Sequence, residues 1–277
     1  MKKILRPKYL PFLPLVTGLL GFLLRLLILG TGTDGDGLYP PQPVAWGLYW
    51  AMSVALLVTV VALSRRLKYA GTFEDNFPPS LIAAIGSGLA AVGLLAGALP
   101  YFSGTMDMLA TLTGYSGVLA AVCMAVVALA RHQGKPPFFL CHVGVSLHMA
   151  LRIFDSCRAW SNETQLSQFL PTFLAMVCVM LAAYHLSTFD VGLGSRRTSL
   201  LWSLLAVHFS ITALAGQTEL VLFGTMAIWL LTNLCSLRKL KAPEAPADPQ
   251  EPETTPDDKP SVSDMTMDEL NDWLDQK

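Results

Sequence analysis

Eight apolar segments of about 20 residues run through this chain of 277 residues, and each is long enough to cross a bilayer as a helix. Charged residues make up only 14% of the sequence, whereas soluble domains carry about a quarter. A water-soluble fold with so little charge could not cover its surface. The sequence therefore predicts an all-α fold, a polytopic membrane helix bundle with eight transmembrane helices. The predicted segments are 9–30, 44–63, 80–102, 108–130, 137–156, 166–189, 199–216 and 220–237.

Basic residues are concentrated at the two flanking ends and in alternate connections between these segments. The remaining connections carry a single base, Arg158, against five acids. Cytoplasmic connections of membrane proteins are enriched in lysine and arginine. We therefore expect both termini in the cytoplasm and the lipid bilayer as the main partner of the chain. The basic clusters are Lys2, Lys3, Arg6 and Lys8; Arg65, Arg66 and Lys68; Arg131 and Lys135; Arg196 and Arg197; and Arg238, Lys239 and Lys241.

The end of the chain differs sharply in charge from the rest. Residues 243–277 contain eleven acids and two bases, a net charge of −9, which leaves +8 for the other 242 residues. The stretch 242–262 is rich in proline and acid and almost free of apolar residues, which is typical of disordered linkers. The predicted domains are thus a transmembrane domain over 1–241, a disordered acidic linker over 242–262 and a short amphipathic helix over 263–277.

The terminal helix has a small apolar edge. Leu270, Trp273 and Leu274 fall at positions i, i+3 and i+4, which places them on one face of an otherwise acidic helix. Such a segment is too short to be stable alone and is suited to folding on a cytoplasmic protein partner with a basic groove. An acidic terminus that only improves solubility is the alternative.

Similar residues recur in the two halves of the chain. Ser80-Leu81 matches Ser199-Leu200, and Leu95-Ala96-Gly97 matches Leu214-Ala215-Gly216 at the same offset. One interpretation is a 4+4 parallel internal repeat, with four helices in each half related by an axis along the membrane normal. The other interpretation is that these are chance matches among residues that are common in membrane helices.

Four ionisable residues inside the apolar segments form the candidate ligand-binding site. His148, Arg152 and Asp155 share one face of the fifth segment, and Arg25 lies at a comparable depth in the first. Ionisable groups in hydrocarbon cost about 2.5–3.5 kcal/mol each on insertion scales, so each needs a reason. Two arginines and one aspartate suit a small anion, a carboxylate or a lipid headgroup. Alternatively, Arg152 pairs locally with Asp155 while Arg25 reaches outward to the interface.

Other chemistry finds less support in the sequence. Four histidines leave a haem or redox role open, although hydrogen bonds to neighbouring helices explain buried histidines equally well. The cysteines show no CxxC pair, and no metal site or cofactor is predicted. No catalytic motif is present, so we assign no catalytic residue and predict no enzyme activity. Nothing suggests a nucleic-acid partner. The four histidines are His142, His148, His185 and His208.

The third segment has a surface of small residues. Gly93 and Gly97 form a GxxxG motif, and Gly86 and Ala90 extend the same surface. This pattern predicts close helix packing. Its partner is either another helix of this chain or a second copy, which leaves a homo-oligomer open.

Five short stretches carry a resemblance to a known group of proteins: Leu23-Leu24-Arg25, Asp36-Gly37-Leu38, Asn76-Phe77-Pro78-Pro79-Ser80, Arg158-Ala159-Trp160-Ser161 and Leu181-Ala182-Ala183-Tyr184. Through them, the regions 22–93 and 148–197 resemble uncharacterised multi-pass integral membrane proteins of Gram-positive anaerobic bacteria. The resemblance implies a location in the bacterial cytoplasmic membrane. The group has no assigned activity, so the resemblance implies nothing about mechanism.

Three functions follow from these patterns. The first is transporter-like handling of a small solute, an anion or a lipid by the arginine-bearing membrane core. The second is a non-catalytic accessory or sensory role, in which the terminal helix recruits a cytoplasmic partner. The third is a haem or redox role.

Overall fold

The computed structural model describes residues 11–30, 42–65, 70–103, 107–161, 166–216 and 219–238. Within these ranges the chain is almost entirely helical, as the sequence predicts. Three 3₁₀ turns extend the helices at Leu99–Phe102, Leu166–Phe169 and Leu214–Gly216. The helices are α1 Phe12–Gly30, α2 Pro43–Ser64, α3 Phe73–Asn76, α4 Leu81–Ala98, α5 Met108–Gln133, α6 Leu140–Trp160, α7 Leu170–Asp190, α8 Arg196–Ala213 and α9 Leu220–Cys235.

Six helical stretches in the described part are long and apolar enough to cross a membrane: Phe12–Gly30, Pro43–Ser64, Leu81–Phe102, Met108–Gln133, Ser167–Asp190 and Arg196–Gly216. They confirm the prediction of an apolar helix bundle. The count of eight spans is not confirmed, because helices α6 and α9 fall outside this set. Helix α9 has only 16 residues, and the two histidines, two arginines and one aspartate of α6 lower its mean hydropathy.

The outer surface of the bundle is apolar, unlike that of a water-soluble protein. Large apolar side chains point away from the bundle, among them Ile82, which is 64% exposed, and Phe154, which is 67% exposed. Polar side chains lie inside, and His148 and His208 are fully buried. This distribution suits a lipid environment, in which ionisable groups face the bundle interior.

Helices α4 to α9 form a closed ring in which each helix packs against the next and α9 packs against α4. Helices α1 and α2 pack together outside this ring, both against α8. Helix α8 is consequently the most enclosed helix, and its spanning window is 78% buried. The two predicted halves therefore have different surroundings, since α6 and α7 belong to the ring while their counterparts α1 and α2 do not. The 4+4 repeat is not confirmed by this packing.

Small residues allow α4 and α9 to approach closely. A Cβ atom added at Gly86 would lie 2.0 Å from Thr232 Oγ1, and one added at Gly93 would lie 1.8 Å from Thr225 Oγ1. Only glycine fits at either position. The small-residue surface predicted from the GxxxG motif thus packs against another helix of the same chain.

We call the end of the bundle that contains Arg131 and Arg196 the basic end, and the opposite end the Glu219 end. A short segment covers the basic end, where strand β1 (Ala70–Gly71) pairs antiparallel with β2 (Gly194–Ser195) and α3 follows β1. Phe73 and Phe77 from this segment are buried, and the Arg131 guanidinium lies 5.4 and 4.7 Å from the centres of their rings. The segment therefore seals the basic end with aromatic rings around a cation.

Residues 239–277 form a separate unit and lie outside the described residues. The predictions of a disordered linker over 242–262 and of a docking edge at Leu270, Trp273 and Leu274 concern this unit. They stay predictions.

Candidate functional site

Arg152 is a buried arginine with several partners at the Glu219 end. Its side chain is 2% exposed, and its Nη2 and Nε atoms lie 2.5 and 3.1 Å from the two carboxylate oxygens of Glu219. Its Nη1 donates to the carbonyl oxygen of Gly97 at 3.2 Å, and the guanidinium stacks 5.5 Å from the centre of the Tyr101 ring. The guanidinium thus binds a carboxylate in the bidentate geometry that is specific to arginine.

The backbone of Glu219 is in a conformation that side chains other than glycine rarely adopt. Its φ and ψ are 61° and 34°, in the left-handed region, directly before helix α9. Among the described residues no other non-glycine residue has a positive φ. This conformation costs about 1–2 kcal/mol. In this conformation the carboxylate of Glu219 contacts Arg152, although 30% of the Glu219 side chain stays exposed.

Arg25 lies at the same end of the bundle but has other partners. It is 5% exposed and donates to the carbonyl oxygens of Thr212 and Ala213 at 3.3 and 3.4 Å. Its Nη2 donates to the carbonyl oxygen of Gln168 and to Thr172 Oγ1. These bonds hold α1 against the ends of α7 and α8. The sequence places Arg25 and Arg152 in one ligand site, and the structure gives each a separate set of partners.

The remaining charges at this end also differ from the sequence analysis. The local pair of Arg152 with Asp155 is replaced by the pair with Glu219, and Asp155 instead lies 3.7 Å from Arg158. Arg158 also forms an exposed ion pair with Asp107, and this hydrogen bond holds the pKa of the Asp107 carboxyl below its ordinary value. Arg152 is therefore balanced by Glu219, and Arg158 by two aspartates.

The buried histidines bind side chains on other helices, as the alternative to haem binding expects. His148 on α6 lies 3.0 Å from Ser116 Oγ. His208 on α8 bridges α2 and α1, at 3.1 Å from Ser53 Oγ and 3.2 Å from Thr17 Oγ1. No group of three or more metal-binding side chains occurs within the described ranges.

His142 and Asp190 form an unexpected hydrogen-bonded pair at the basic end. His142 Nδ1 lies 2.6 Å from Asp190 Oδ2, and the two side chains are 4% and 0% exposed. On its other side, His142 stacks on Trp229 of α9, with ring centres 6.2 Å apart. Arg131 is 1% exposed, hydrogen bonds Ser236 and interacts electrostatically with Asp190. The site therefore joins four helices through one acid, one base and one fixed cation.

Sequence reasoning missed Glu219 and Asp190, the acids of the two buried pairs. Both lie at the boundary of a predicted segment and were assigned to connections. The signal that points to them is the need of a buried base for a counter-ion, since each acid stands at the same end of the bundle as its base.

The fold and its buried charges define an integral membrane protein with an apolar surface and polar side chains buried within an apolar core. No protein-family model, curated protein or solved structure matches this chain. Its function therefore has to be inferred from the chemistry of its own side chains.

Proposed function

We propose that this chain is a transporter-like membrane protein that binds a small anionic solute, a carboxylate above all, at Arg152. The single observation that carries this proposal is the bidentate contact between the buried guanidinium of Arg152 and the Glu219 carboxylate. The site already holds a carboxylate, so its geometry and charge suit that group. The carboxylate of an incoming solute would take the position of Glu219.

The properties of Glu219 support such an exchange. The residue sits on a strained turn, and its side chain is partly exposed while that of Arg152 is not. Leaving the site would release the backbone strain and expose a carboxylate that water solvates well. Arg152 would stay in place through its bonds to Gly97 and Tyr101. A solute that supplies the same two oxygens spares Arg152 an unpaired buried charge, which costs several kcal/mol.

The proposed topology follows the charge pattern of the connections. We propose eight spans, with α6 and α9 crossing the bilayer as part of the ring, and the basic end in the cytoplasm of a bacterial cell. Helix α6 is polar because it carries the proposed site, and α9 is short and packs closely on α4. In this orientation the Glu219 end faces the outside of the cell.

The test is the heat stability of the purified protein in detergent with increasing concentrations of small carboxylates, phosphate and neutral analogues. A ligand that binds only the folded protein raises the unfolding temperature further as its concentration rises above the Kd. We expect a carboxylate to stabilise the wild type, Arg152→Gln to abolish the effect, and Glu219→Gln to shift it to lower carboxylate concentrations. Arg158→Gln is the matched control, an arginine of the same helix whose loss leaves the response unchanged.

A lipid headgroup has anionic oxygens too, so the same variants are compared in nanodiscs of neutral and anionic lipid without added solute. Stabilisation by anionic lipid alone that needs Arg152 would make the ligand a lipid. Equal responses of wild type and Arg152→Gln to every anion would refute the site.

A further inference from the structure

The interior of the basic end contains an acid–base pair that the proposed solute site does not use. His142 on α6 and Asp190 on α7 are in contact at 2.6 Å, and neither side chain is more than 4% exposed. Each buried ionisable group inside a membrane bundle requires a partner or a function. The pair satisfies the first requirement only in part, because the Oδ1 atom of Asp190 has no hydrogen-bond partner among the described residues.

We propose that His142 and Asp190 form a proton-binding site that exchanges protons with the basic end of the bundle. In the unloaded state the Nδ1–H group of a neutral imidazole donates a hydrogen bond to the Asp190 carboxylate. In the loaded state one further proton, taken from hydronium with release of water, makes the imidazole an imidazolium. The net charge of the pair then rises by one, and no other bond changes.

Arg131 determines the net charge of the cluster before and after the pair takes up a proton. Its guanidinium is buried and interacts electrostatically with Asp190, and its Nε and Nη1 atoms have no hydrogen-bond partner among the described residues. The fixed charge of Arg131 balances Asp190 while His142 is neutral. Loading the pair leaves the cluster with one uncompensated positive charge in a low-dielectric interior.

Among the described residues, Asp190 is the only acid in contact with His142. Cys141 of α6 lies near Asp190, with Cys123 of α5 in contact behind it. Helix α9 contributes the indole of Trp229 and no acidic or basic side chain. Arg196 of α8, at the same end, donates to the carbonyl oxygen of Arg238 at 2.5 Å. Asp75 of α3 accepts from Thr72.

The orphaned acceptor marks where a water molecule that carries the proton can bind beside the pair. Asp190 Oδ1 is buried, carries half of the carboxylate charge and lacks a donor, which is the least stable arrangement for a carboxylate oxygen. Trp229 Nε1, on the other side of His142, is a donor that also lacks a partner in the described part. A water molecule that donates to Oδ1 would satisfy this acceptor and would bring an exchangeable proton close to the imidazole. Ionisable chains of this kind are the usual proton relays of membrane proteins.

Trp229 provides a local reporter for the experiment. Its indole stacks on the His142 imidazole at an interplanar angle of 15°, and an imidazolium quenches indole fluorescence by contact. We expect the tryptophan fluorescence of the full-length protein in nanodiscs to fall reversibly as the pH is lowered and the imidazole takes up its second proton. The transition should follow a one-proton curve, and His142→Gln and Asp190→Asn should each abolish it.

Two further variants make the result decisive. His148→Gln, a buried histidine of the same helix, should keep the full transition. Trp229→Phe preserves both members of the pair and should lose the fluorescence change, so it tests the proposal even if the His142 and Asp190 variants do not fold. A flat wild-type signal, or an unchanged transition in Trp229→Phe or His142→Gln, would overturn the proposal. Solute binding at Arg152 is read by a separate assay, so either site can fail while the other stands.

Discussion

The close contact of α4 with α9 makes a quantitative prediction about Gly93. In Gly93→Ala the new Cβ would lie 1.8 Å from Thr225 Oγ1 and 2.8 Å from Thr225 Cβ. Rotating the hydroxyl away would break its bonds to the carbonyl oxygens of Val221 and Leu222, at 2.8 and 2.9 Å, and would leave the second clash in place. Because ordinary contact begins at 3.4 Å, the helices must separate by about 0.6 Å.

Overpacking of this kind costs about 1–3 kcal/mol. We therefore expect Gly93→Ala to lower the free energy of unfolding by about 2 kcal/mol, which is about thirtyfold in the ratio of folded to unfolded protein. Gly88→Ala is the matched control, since no atom lies within 4 Å of its added Cβ. Alanine there should be neutral or slightly stabilising, because it favours the helix by up to about 1 kcal/mol.

The assay is reversible unfolding in mixed micelles, followed by circular dichroism. Adding Thr225→Ala to Gly93→Ala removes the clashing atoms and should recover at least half of the loss. If Gly93→Ala and Gly88→Ala unfold within about 0.5 kcal/mol of each other, a difference ordinary for surface substitutions, the packing inferred for α4 and α9 is refuted.

Three further predictions concern the ends of the helices. Gly134 has a φ of +71°, and an added Cβ would lie 2.4 Å from Pro79 Cγ, so Gly134→Ala should lower the unfolding temperature clearly; an unchanged temperature would exclude this turn. Asp107→Asn should reduce stability slightly at pH 6, because the pair with Arg158 lowers the Asp107 pKa. That stabilisation exists above the ordinary aspartate pKa and disappears as the pH falls below the lowered value. Wild type and variant should therefore be equally stable in acid, and a difference in stability that persists there would contradict the prediction. A cysteine placed at Gly37 should react with impermeant reagent from outside intact cells; labelling only after lysis would overturn the proposed orientation.

The helices could be predicted from the sequence because each rests on a local pattern. A run of apolar residues favours a helix by itself, so the eight predicted segments overlap helices α1, α2 and α4 to α9, although six helical stretches are long and apolar enough to cross a membrane. The small surface around Gly93 predicted close packing for the same local reason. Its partner helix could not be predicted, because nothing near Gly93 in sequence specifies Thr225, more than a hundred residues away.

The partners of the candidate site residues could not be predicted from the sequence for a related reason. The spacing of His148, Arg152 and Asp155 places them on one face, and the structure buries the first two as expected. The counter-ion of Arg152 is Glu219, which approaches only because a left-handed turn redirects the chain. A backbone conformation of this kind in a glutamate leaves no trace in composition or periodicity.

If Arg152 binds a solute carboxylate as proposed, the tethering of Glu219 to the protein sets the solute concentration that binding requires. A group held on the same chain competes at an effective concentration of about millimolar or more. A free monocarboxylate therefore has to reach a similar concentration before it occupies half of the Arg152 sites. The strain on the Glu219 turn lowers this threshold, by about tenfold for each 1.4 kcal/mol. Solutes at micromolar levels would need contacts beyond Arg152, so the intact turn selects for abundant metabolites.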